Sequence, residues 1–230
     1  MRMSTLFLIR HGQASFGSDN YDRLSPLGIA QANHLRDHLN ENAIELHRVC
    51  SGQLQRQRRT AEILAGHSSP NIVITPAFDE YDAHSLMQHY AQTTGEPLLS
   101  LQGSSERLEP RQFREHLERV SRAWVHEQIA APHLESWKSF RARVARGIDE
   151  ITSTTPRSHN IAVATSAGVI GAAMGHLLGL EDVAALQLSY VVLNSAVTRI
   201  EFDGNRRTLV SFNSTAHLER ADRRALLTYL

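Results

Sequence analysis

The chain has 230 residues, of which 41% are hydrophobic and 21% are charged. This composition can bury a sizeable core, and we expect one α/β domain over residues 1–230 that carries an insertion. Lysine plus arginine equals aspartate plus glutamate at 24 each, so no overall charge favours nucleic acid or an anionic membrane as a partner. Any anion site must therefore be local.

The cysteine content and the short apolar runs indicate a cytoplasmic protein. Cys50 is the single cysteine and cannot form an internal disulfide, which suits a reducing compartment. The apolar run 6–9 is too short for a signal sequence or a membrane-spanning helix, and no later apolar stretch approaches the length of a membrane-spanning helix. We therefore expect no membrane partner.

Strand and helix patterns alternate in the first part of the chain. Residues 5–9 predict a short buried strand, and a serine-proline pair at 25–26 marks the start of a helix that runs to about residue 40. Residues 47–51 predict a second strand, 54–65 a second helix, and 71–75 a third strand. This order is typical of βαβ units.

The pattern changes between residues 83 and about 135. This segment consists of polar, histidine-rich helical stretches that glycines and prolines interrupt. We predict a mainly helical cap, inserted over the sheet. His116 and His126 on its helices are expected at the surface, whereas His84 and His89 could reach a substrate.

Beyond the insertion the alternation returns. Residues 136–151 predict an amphipathic helix, 160–165 an apolar strand, and 166–178 a helix of small residues. Residues 191–202 and 207–212 predict a terminal hairpin, with Asp203-Gly204-Asn205 as its turn. The whole pattern predicts a three-layer α/β sandwich, with a mostly parallel central sheet flanked by helices.

Polar residues begin where two of the predicted strands end. Arg10-His11-Gly12 follows the first strand, at the carboxyl end where open α/β sheets bind their ligands. The segment 51–61 follows the second strand and is rich in arginine. Arginine has a planar, permanently charged group that suits phosphate oxygens better than a lysine does.

These two segments together resemble the histidine phosphatase superfamily, in its phosphoglycerate-mutase-like branch. That family opens with Leu-Ile/Val-Arg-His-Gly and later has Ser-x-x-Leu-x-Arg-x-x-x-Thr-Ala. This chain has matching residues at 8–13 and 51–61, in the same order. Further resemblance lies at 21–28, around Glu80 and at 213–218, so that it covers nearly the whole chain outside the insertion.

The resemblance implies that His11 is a nucleophile that becomes transiently phosphorylated, and that Arg10 and Arg56 hold the phosphoryl oxygens. Arg56 is preferred over Arg58 and Arg59 because of its spacing in the motif. Such an attack needs a neutral imidazole with one nitrogen free and the proton of the other held by a backbone carbonyl. No cofactor and no metal ion are implied. The residues expected to bind substrate are Gly12, Gln13, Ser15, Ser166 and Ala167.

A carboxylic acid should protonate the leaving oxygen. Residues 78–82 resemble the family segment that follows the third strand, which puts Glu80 in this role. Asp79 and Asp82 remain alternatives. If Glu80 is the acid, burial beside the phosphate site should raise its pKa.

The chain departs from the family pattern at residue 166. The family has Val-x-x-His-Gly-Gly-x-Ile there, and its histidine donates a charged hydrogen bond to the phosphate; this chain has Ser166. A serine hydroxyl and the amides of the following helix start, from Ala167 on, can still donate. Loss of one such donor typically costs about 2.7–4 kcal/mol of transition-state stabilisation.

The sequence therefore predicts a phosphoric monoester hydrolase that acts on a small phosphorylated substrate through phosphohistidine at His11. One alternative is a catalytically weak protein that binds or regulates through a phosphorylated ligand. Another is a phosphoglycerate-type mutase, which the absence of a second histidine disfavours. Specificity would lie in the insertion, where the sequence has no readable motif.

Overall fold

The computed structural model describes residues 3–15, 21–66, 72–96, 110–129, 133–204 and 206–229. The strands are β1 (Ser4–Arg10), β2 (Arg48–Ser51), β3 (Ile72–Ile74), β4 (Asn160–Thr165), β5 (Val197–Asp203) and β6 (Arg206–Ser214). The α-helices are α1 (Pro26–Glu41), α2 (Gln55–Ala65), α3 (Ala83–Thr94), α4 (Pro110–Val125), α5 (Trp137–Thr154), α6 (Ala167–Leu178) and α7 (Asp182–Ser189). Helix α7 was not predicted.

The strands form one six-stranded sheet in the order β3-β2-β4-β1-β5-β6. The first four strands in this order pair in parallel, whereas β5 is antiparallel to both β1 and β6. Helices α1 and α2 cover one face and helices α5 and α6 the other. The predicted α/β fold with a mostly parallel sheet between helices is confirmed.

Strand β1 shows why both faces of the sheet are covered. Leu6 and Leu8 pack in one hydrophobic cluster with α5 and α6, while Phe7 and Ile9 pack in a second cluster with α1 and α2. Side chains of a strand alternate between the two faces, so a strand that is apolar at every position needs a layer on each side.

The segment that we predict to be an insertion contributes helices α3 and α4 to the larger of these clusters. Phe113 and Trp124 of α4 are buried there, together with Phe140 of α5. His116 is 2% exposed, so its expected surface position is wrong. It lies one helical turn from Phe113 and one from Val120, on the apolar side of the helix. Residues 97–109 and 130–132 of the insertion lie outside the described part of the chain.

The terminal hairpin begins later than the sequence predicts. Strand β5 starts at Val197, and residues 191–196 form a loop. Ser195 in this loop has a positive φ of 58°, outside the extended range of a regular strand. Its amide and the side-chain amide of Asn194 both donate to the carbonyl of His11, which explains the loop conformation. Asn71 and Asn205, predicted in a strand and a turn, lie outside the described residues.

Candidate active site

The predicted site lies at the carboxyl edge of the parallel strands. The amide of His11 donates to the carbonyl of Thr165 at 2.8 Å, so the ends of β1 and β4 are adjacent. The end of β2 joins them, since Gly52 donates to the carbonyl of Ala164 at 3.3 Å. The residues after these three strands therefore meet at one place.

The hydrogen bonds of His11 determine its tautomer. Nε of Arg56 lies 3.1 Å from Nε2 of His11, and an arginine nitrogen can only donate. Nε2 therefore has no proton and offers its lone pair. Nδ1 carries the proton and donates it to the carbonyl of Gly12 at 2.7 Å. This is the neutral imidazole that a nucleophilic histidine requires.

Burial and charge keep His11 neutral. The side chain is buried, at 5% exposure for the residue, and desolvation disfavours the imidazolium. The positive charges of Arg56 and Arg10 add to this effect, and together they hold the pKa of His11 well below its ordinary value of 6.5. The lone pair on Nε2 is thus present at neutral pH.

Arg56 is the arginine of α2 that points into the site. Its side chain is 11% exposed, whereas Arg58 and Arg59 are exposed on the outside of the helix. Asp22 forms an ion pair with its Nη1 at 2.6 Å, and the ring of Tyr21 lies 5.6 Å from its guanidinium carbon. The oxygens of Asp22 also accept from the first amide of α2 at 2.8 Å, which ties the helix start to the arginine.

Arg10 combines a hydrogen bond to the backbone with a donor that has no partner among the described residues. Its Nη1 donates to the carbonyl of Val192, and its Nε is buried without a hydrogen-bond partner among the described residues. Burial lowers the pKa of Arg10 to about 10, so the group remains charged at neutral pH. A buried, charged donor without a partner is a favourable place for an anion.

The loop after His11 is held by close packing against α1. A side chain at Gly12 would lie 2.3 Å from the carbonyl oxygen of Gly28, so only glycine fits there. The amide of Gly12 donates to the hydroxyl of Thr60 at 3.2 Å. Gln13 donates its amide to Gln31 at 2.8 Å. Both amides are engaged with protein, so these two residues hold the loop in place.

Glu80 faces the same site from the segment that follows β3. Its Oε2 accepts from the amide of Gly168 at 2.9 Å and its Oε1 from the amide of Tyr81 at 3.2 Å. Burial raises the pKa of Glu80, although these amides and the nearby arginines Arg56 and Arg10 oppose the shift. A Cβ atom at Gly168 would lie 2.2 Å from Oε1, so the helix start must be glycine for the carboxylate to fit.

The two rival carboxylates have other partners. Asp82 is exposed and caps helix α3, where its oxygens accept from the amide of Ser85 at 3.0 Å and from the hydroxyl of Ser85 at 2.6 Å. Asp79 accepts from the amide of Gln53. Burial raises its pKa as well. Glu80 is the carboxylate at the start of α6, beside Ser166.

Ser166 is buried at the N-terminus of α6, next to the end of β1. It occupies the N-cap position, but its side chain makes no capping hydrogen bond. Its hydroxyl instead accepts from Nε2 of Gln57 at 2.8 Å. Ala167, the first residue of α6, is partly buried against the core. Ser15 is half-buried and donates its amide to the carbonyl of Arg23 at 2.7 Å.

Sequence reasoning missed several residues that shape this site. Asp22 lies in a segment that carries the family resemblance, which was its only signal. No sequence signal indicates Gln57 or Asn194, because each contacts a residue far away in the chain. Gln57 contacts Ser166, 109 positions away, and Asn194 contacts His11, 183 positions away. Arg143 of α5 donates to the carbonyls of Pro76, Ala77 and Asp79 and so fixes the segment before Glu80.

The fold and this arrangement define an α/β protein with a neutral histidine between two arginines at the carboxyl edge of its sheet. The model of the histidine phosphatase superfamily (branch 1) matches residues 6–215. The chain belongs to this superfamily. No curated protein sequence matches it.

Solved structures of several phosphatases and a mutase share the fold. An α-ribazole phosphatase from Shigella flexneri is 20% identical with a TM-score of 0.64, over 92% of this chain and 96% of that one. A phosphoserine phosphatase from Entamoeba histolytica, solved with phosphoserine, is 21% identical with a TM-score of 0.64, over 94% and 100%. A phosphoglycerate mutase from Bacillus anthracis is 16% identical with a TM-score of 0.65, over 94% and 95%.

Neither a membrane-spanning helix nor a metal-binding group of side chains lies in the described part of the chain. None of its helices combines the length and the apolar character needed to cross a membrane. Its histidine, cysteine, aspartate and glutamate side chains nowhere form a group of three or more suited to holding a metal ion.

Proposed function

We propose that the protein is a phosphatase that hydrolyses a small organic phosphate monoester through a phosphohistidine intermediate on His11. The observation that carries this proposal is the neutral tautomer of His11, whose Nε2 lone pair faces the guanidinium of Arg56. The charges of Arg56 and Arg10 suit the oxygens of the phosphoryl group, which spread negative charge during transfer.

In the first step, Nε2 of His11 forms a bond to phosphorus while the bond from phosphorus to the alcohol oxygen breaks. The departing oxygen takes a proton from Glu80, whose pKa burial has raised. The imidazole gains positive charge as it is phosphorylated. The proton remains on Nδ1, and its hydrogen bond to the carbonyl of Gly12 stabilises that charge.

In the second step, a water molecule attacks phosphorus and the bond to Nε2 breaks. Glu80, now ionised, takes a proton from the water, and the electron pair returns to Nε2. Inorganic phosphate leaves, and the neutral histidine and the protonated acid are restored. Positioning and fixed charge account for catalysis in this scheme.

The alcohol part of the substrate would lie beside Glu80, because the acid must reach the leaving oxygen. Glu80 lines a cavity of about 290 Å³ together with Leu86 and Trp124 of the insertion and Tyr81. These apolar and aromatic neighbours support the view that the insertion selects the alcohol.

Turnover of 4-nitrophenyl phosphate by the wild type and by His11→Ala tests the proposal. We expect phosphate release by the wild type and a loss of at least about 10³-fold in the variant, since a nucleophile cannot be replaced by binding alone. Equal melting temperatures would show that both proteins are folded. Release that persists in His11→Ala would overturn the proposal.

One observation favours a second candidate, a protein that binds a phosphorylated ligand with little turnover. Ser166 is neutral where the family pattern has a charged donor. The same pair of proteins separates the two functions. Tight binding of inorganic phosphate by calorimetry, with no release dependent on His11 from a panel of phosphorylated metabolites, would favour the binding protein.

A further inference from the structure

The hydroxyl of Ser166 is held by a glutamine that none of the proposed steps uses. Gln57 of α2 is fully buried, at 0% exposure, directly after Arg56 in the chain. Its Nε2 lies 2.8 Å from Oγ of Ser166 and 3.1 Å from the carbonyl oxygen of Phe78. This side chain therefore joins α2, the end of β4 and the segment that leads to Glu80.

The direction of these hydrogen bonds follows from the chemistry of the partners. The carbonyl of Phe78 can only accept, so the nitrogen of the carboxamide and not its oxygen must face it. The same nitrogen has a second hydrogen, which points at Ser166. Oγ of Ser166 is thus an acceptor in this contact, and its own hydrogen is directed elsewhere.

Ser166 does not use that hydroxyl in the way serines at helix starts commonly do. An N-cap serine normally accepts from an amide of the first turn, but Ser166 makes no such bond. The amide of Gly168 donates to Glu80 instead. Within the described residues, Gln57 is the only side chain bonded to this hydroxyl.

Packing alone does not account for a glutamine at position 57. Its Oε1 is buried and has no hydrogen-bond partner among the described residues, which lowers stability relative to an apolar side chain of the same size. Both of its donors, in contrast, are used. The presence of the carboxamide is therefore explained by the two hydrogen bonds that its nitrogen donates, to Ser166 and to Phe78.

We propose that Gln57 is a positioning residue, which orients the Ser166 hydroxyl so that its hydrogen donates to a phosphoryl oxygen. This inference rests on the proposed phosphatase function. Gln57 and Ser166 together then supply a neutral, preorganised donor at the start of α6, where the family pattern has a charged one. Because the donor acts on the charge of the transition state, its loss should lower kcat more than it raises KM.

A double-mutant cycle tests the inference, with Gln57→Met, Ser166→Ala and the double variant assayed on 4-nitrophenyl phosphate. Methionine keeps the length of the side chain and removes both donors. We expect each single variant to lose about 5–10-fold in kcat with KM within about two-fold, and the double variant to match Ser166→Ala. Gln187→Met, on the exposed side of α7, is the control and should behave as the wild type.

Two kinetic results would overturn the role of Gln57. One is an unchanged kcat in Gln57→Met, and the other is a double variant whose loss is the product of the two single losses. Melting temperatures separate a structural effect. Gln57→Met removes an Oε1 that has no partner among the described residues, which raises stability, and two donated hydrogen bonds, which lowers it, so its melting temperature should stay close to that of the wild type. A fall in both kcat and melting temperature, restored together by a stabilising buffer, would also contradict the inference.

Failure of the proposed function would look different. If the wild type shows no turnover that depends on His11, the same cycle is measured by calorimetry with inorganic phosphate. We then expect Gln57→Met and Ser166→Ala to weaken phosphate binding by about 3-fold or more each, again without further loss in the double variant. Additive or absent effects on phosphate affinity would overturn the inference in that case.

Discussion

Two arginines and a backbone carbonyl determine which form of His11 exists at neutral pH. Burial and the charges of Arg56 and Arg10 exclude the imidazolium, and the carbonyl of Gly12 selects the tautomer with a free Nε2. A phosphate anion would neutralise part of the arginine charge when it binds. The site thus combines a prepared nucleophile with charge that an anion would stabilise.

The difference between Arg56 and its neighbours is open to direct measurement. Arg56→Ala removes a nearly buried charge beside His11, so we expect kcat/KM on 4-nitrophenyl phosphate to fall by about 10²-fold or more. Arg58→Ala changes an exposed residue one position from Gln57 and should leave kcat/KM within about two-fold. Equal losses in the two variants would mean that the role of Arg56 is wrong.

The role of Glu80 predicts a dependence on both leaving group and pH. Glu80→Gln should slow an alkyl phosphate by about 10²–10⁴-fold and an activated aryl phosphate far less, because only the alkoxide needs a proton. A general acid is active only while it is protonated, and burial raises the pKa of Glu80 above its ordinary value of 4.5. Wild-type kcat on the alkyl phosphate should therefore fall as pH rises through this raised pKa. This fall should be absent in Glu80→Gln. Equal losses on both substrates would instead indicate a structural role.

At the scale of elements, helix α5 fixes the segment that leads to Glu80. Arg143 donates to the carbonyls of Pro76, Ala77 and Asp79 and forms an ion pair with Glu135 at 2.7 Å. Its guanidinium carbon also lies 5.1 Å from the ring centre of Phe140. The segment contains a short 3-10 helix at Pro76–Phe78, and Arg143 provides hydrogen bonds to three of the segment's carbonyls.

Arg143→Met should therefore affect the acid more than the rest of the site. We expect a loss of about 5–10-fold in kcat on an alkyl phosphate, and a smaller loss on an aryl phosphate, because Glu80 is displaced from the leaving oxygen. Arg146→Met, exposed on the same helix, is the matched control and should change neither rate. The same loss on both substrates would show that Arg143 supports the fold but does not position Glu80.

Much of the secondary structure can be predicted from the sequence, because it depends on residues that are close together in the chain. The strand 160–165 and the Ser25 N-cap of α1 follow from local patterns, and the structure contains both. The apolar residues of segment 191–196 predict a strand, but the structure has a loop there. The hydrogen bonds that hold it belong to His11, at the other end of the chain. The Gln57–Ser166 contact was unpredictable for the same reason, since sequence patterns do not show which distant side chains meet.

At the scale of the whole molecule, the parallel strands bring four distant segments to one edge. His11 follows β1, and Arg56 lies in the first turn of the helix after β2. Glu80 follows β3, and Ser166 follows β4. A sheet whose strands pointed in alternate directions would divide these residues between two edges. The site therefore depends on the topology as much as on the motifs, and this could be predicted from the strand and helix order.

Acid sensitivity of the fold should depend on His217. This histidine is buried, and desolvation together with His38, His34 and Arg223 lowers its pKa to about 3 from 6.5. The unfolded chain binds the proton first, so the native state loses stability as pH falls from 6.5 toward 3.

His217→Gln removes this titration. The difference in unfolding free energy between wild type and variant should shift against the wild type by about 1.4 kcal/mol per pH unit below pH 6.5. Denaturant titrations at several pH values measure this difference, and His11, which titrates in the same direction, cancels in it. A difference that does not vary with pH would contradict the prediction.

The covalent intermediate on His11 tests the account most directly. Wild-type protein is mixed with a phosphorylated substrate, quenched within milliseconds, and mapped by mass spectrometry. We predict phosphate on the peptide that contains His11, labile in acid and stable in base, and absent from His11→Ala. Phosphate release with no label on His11, or with a base-labile label on Ser166, would contradict the account.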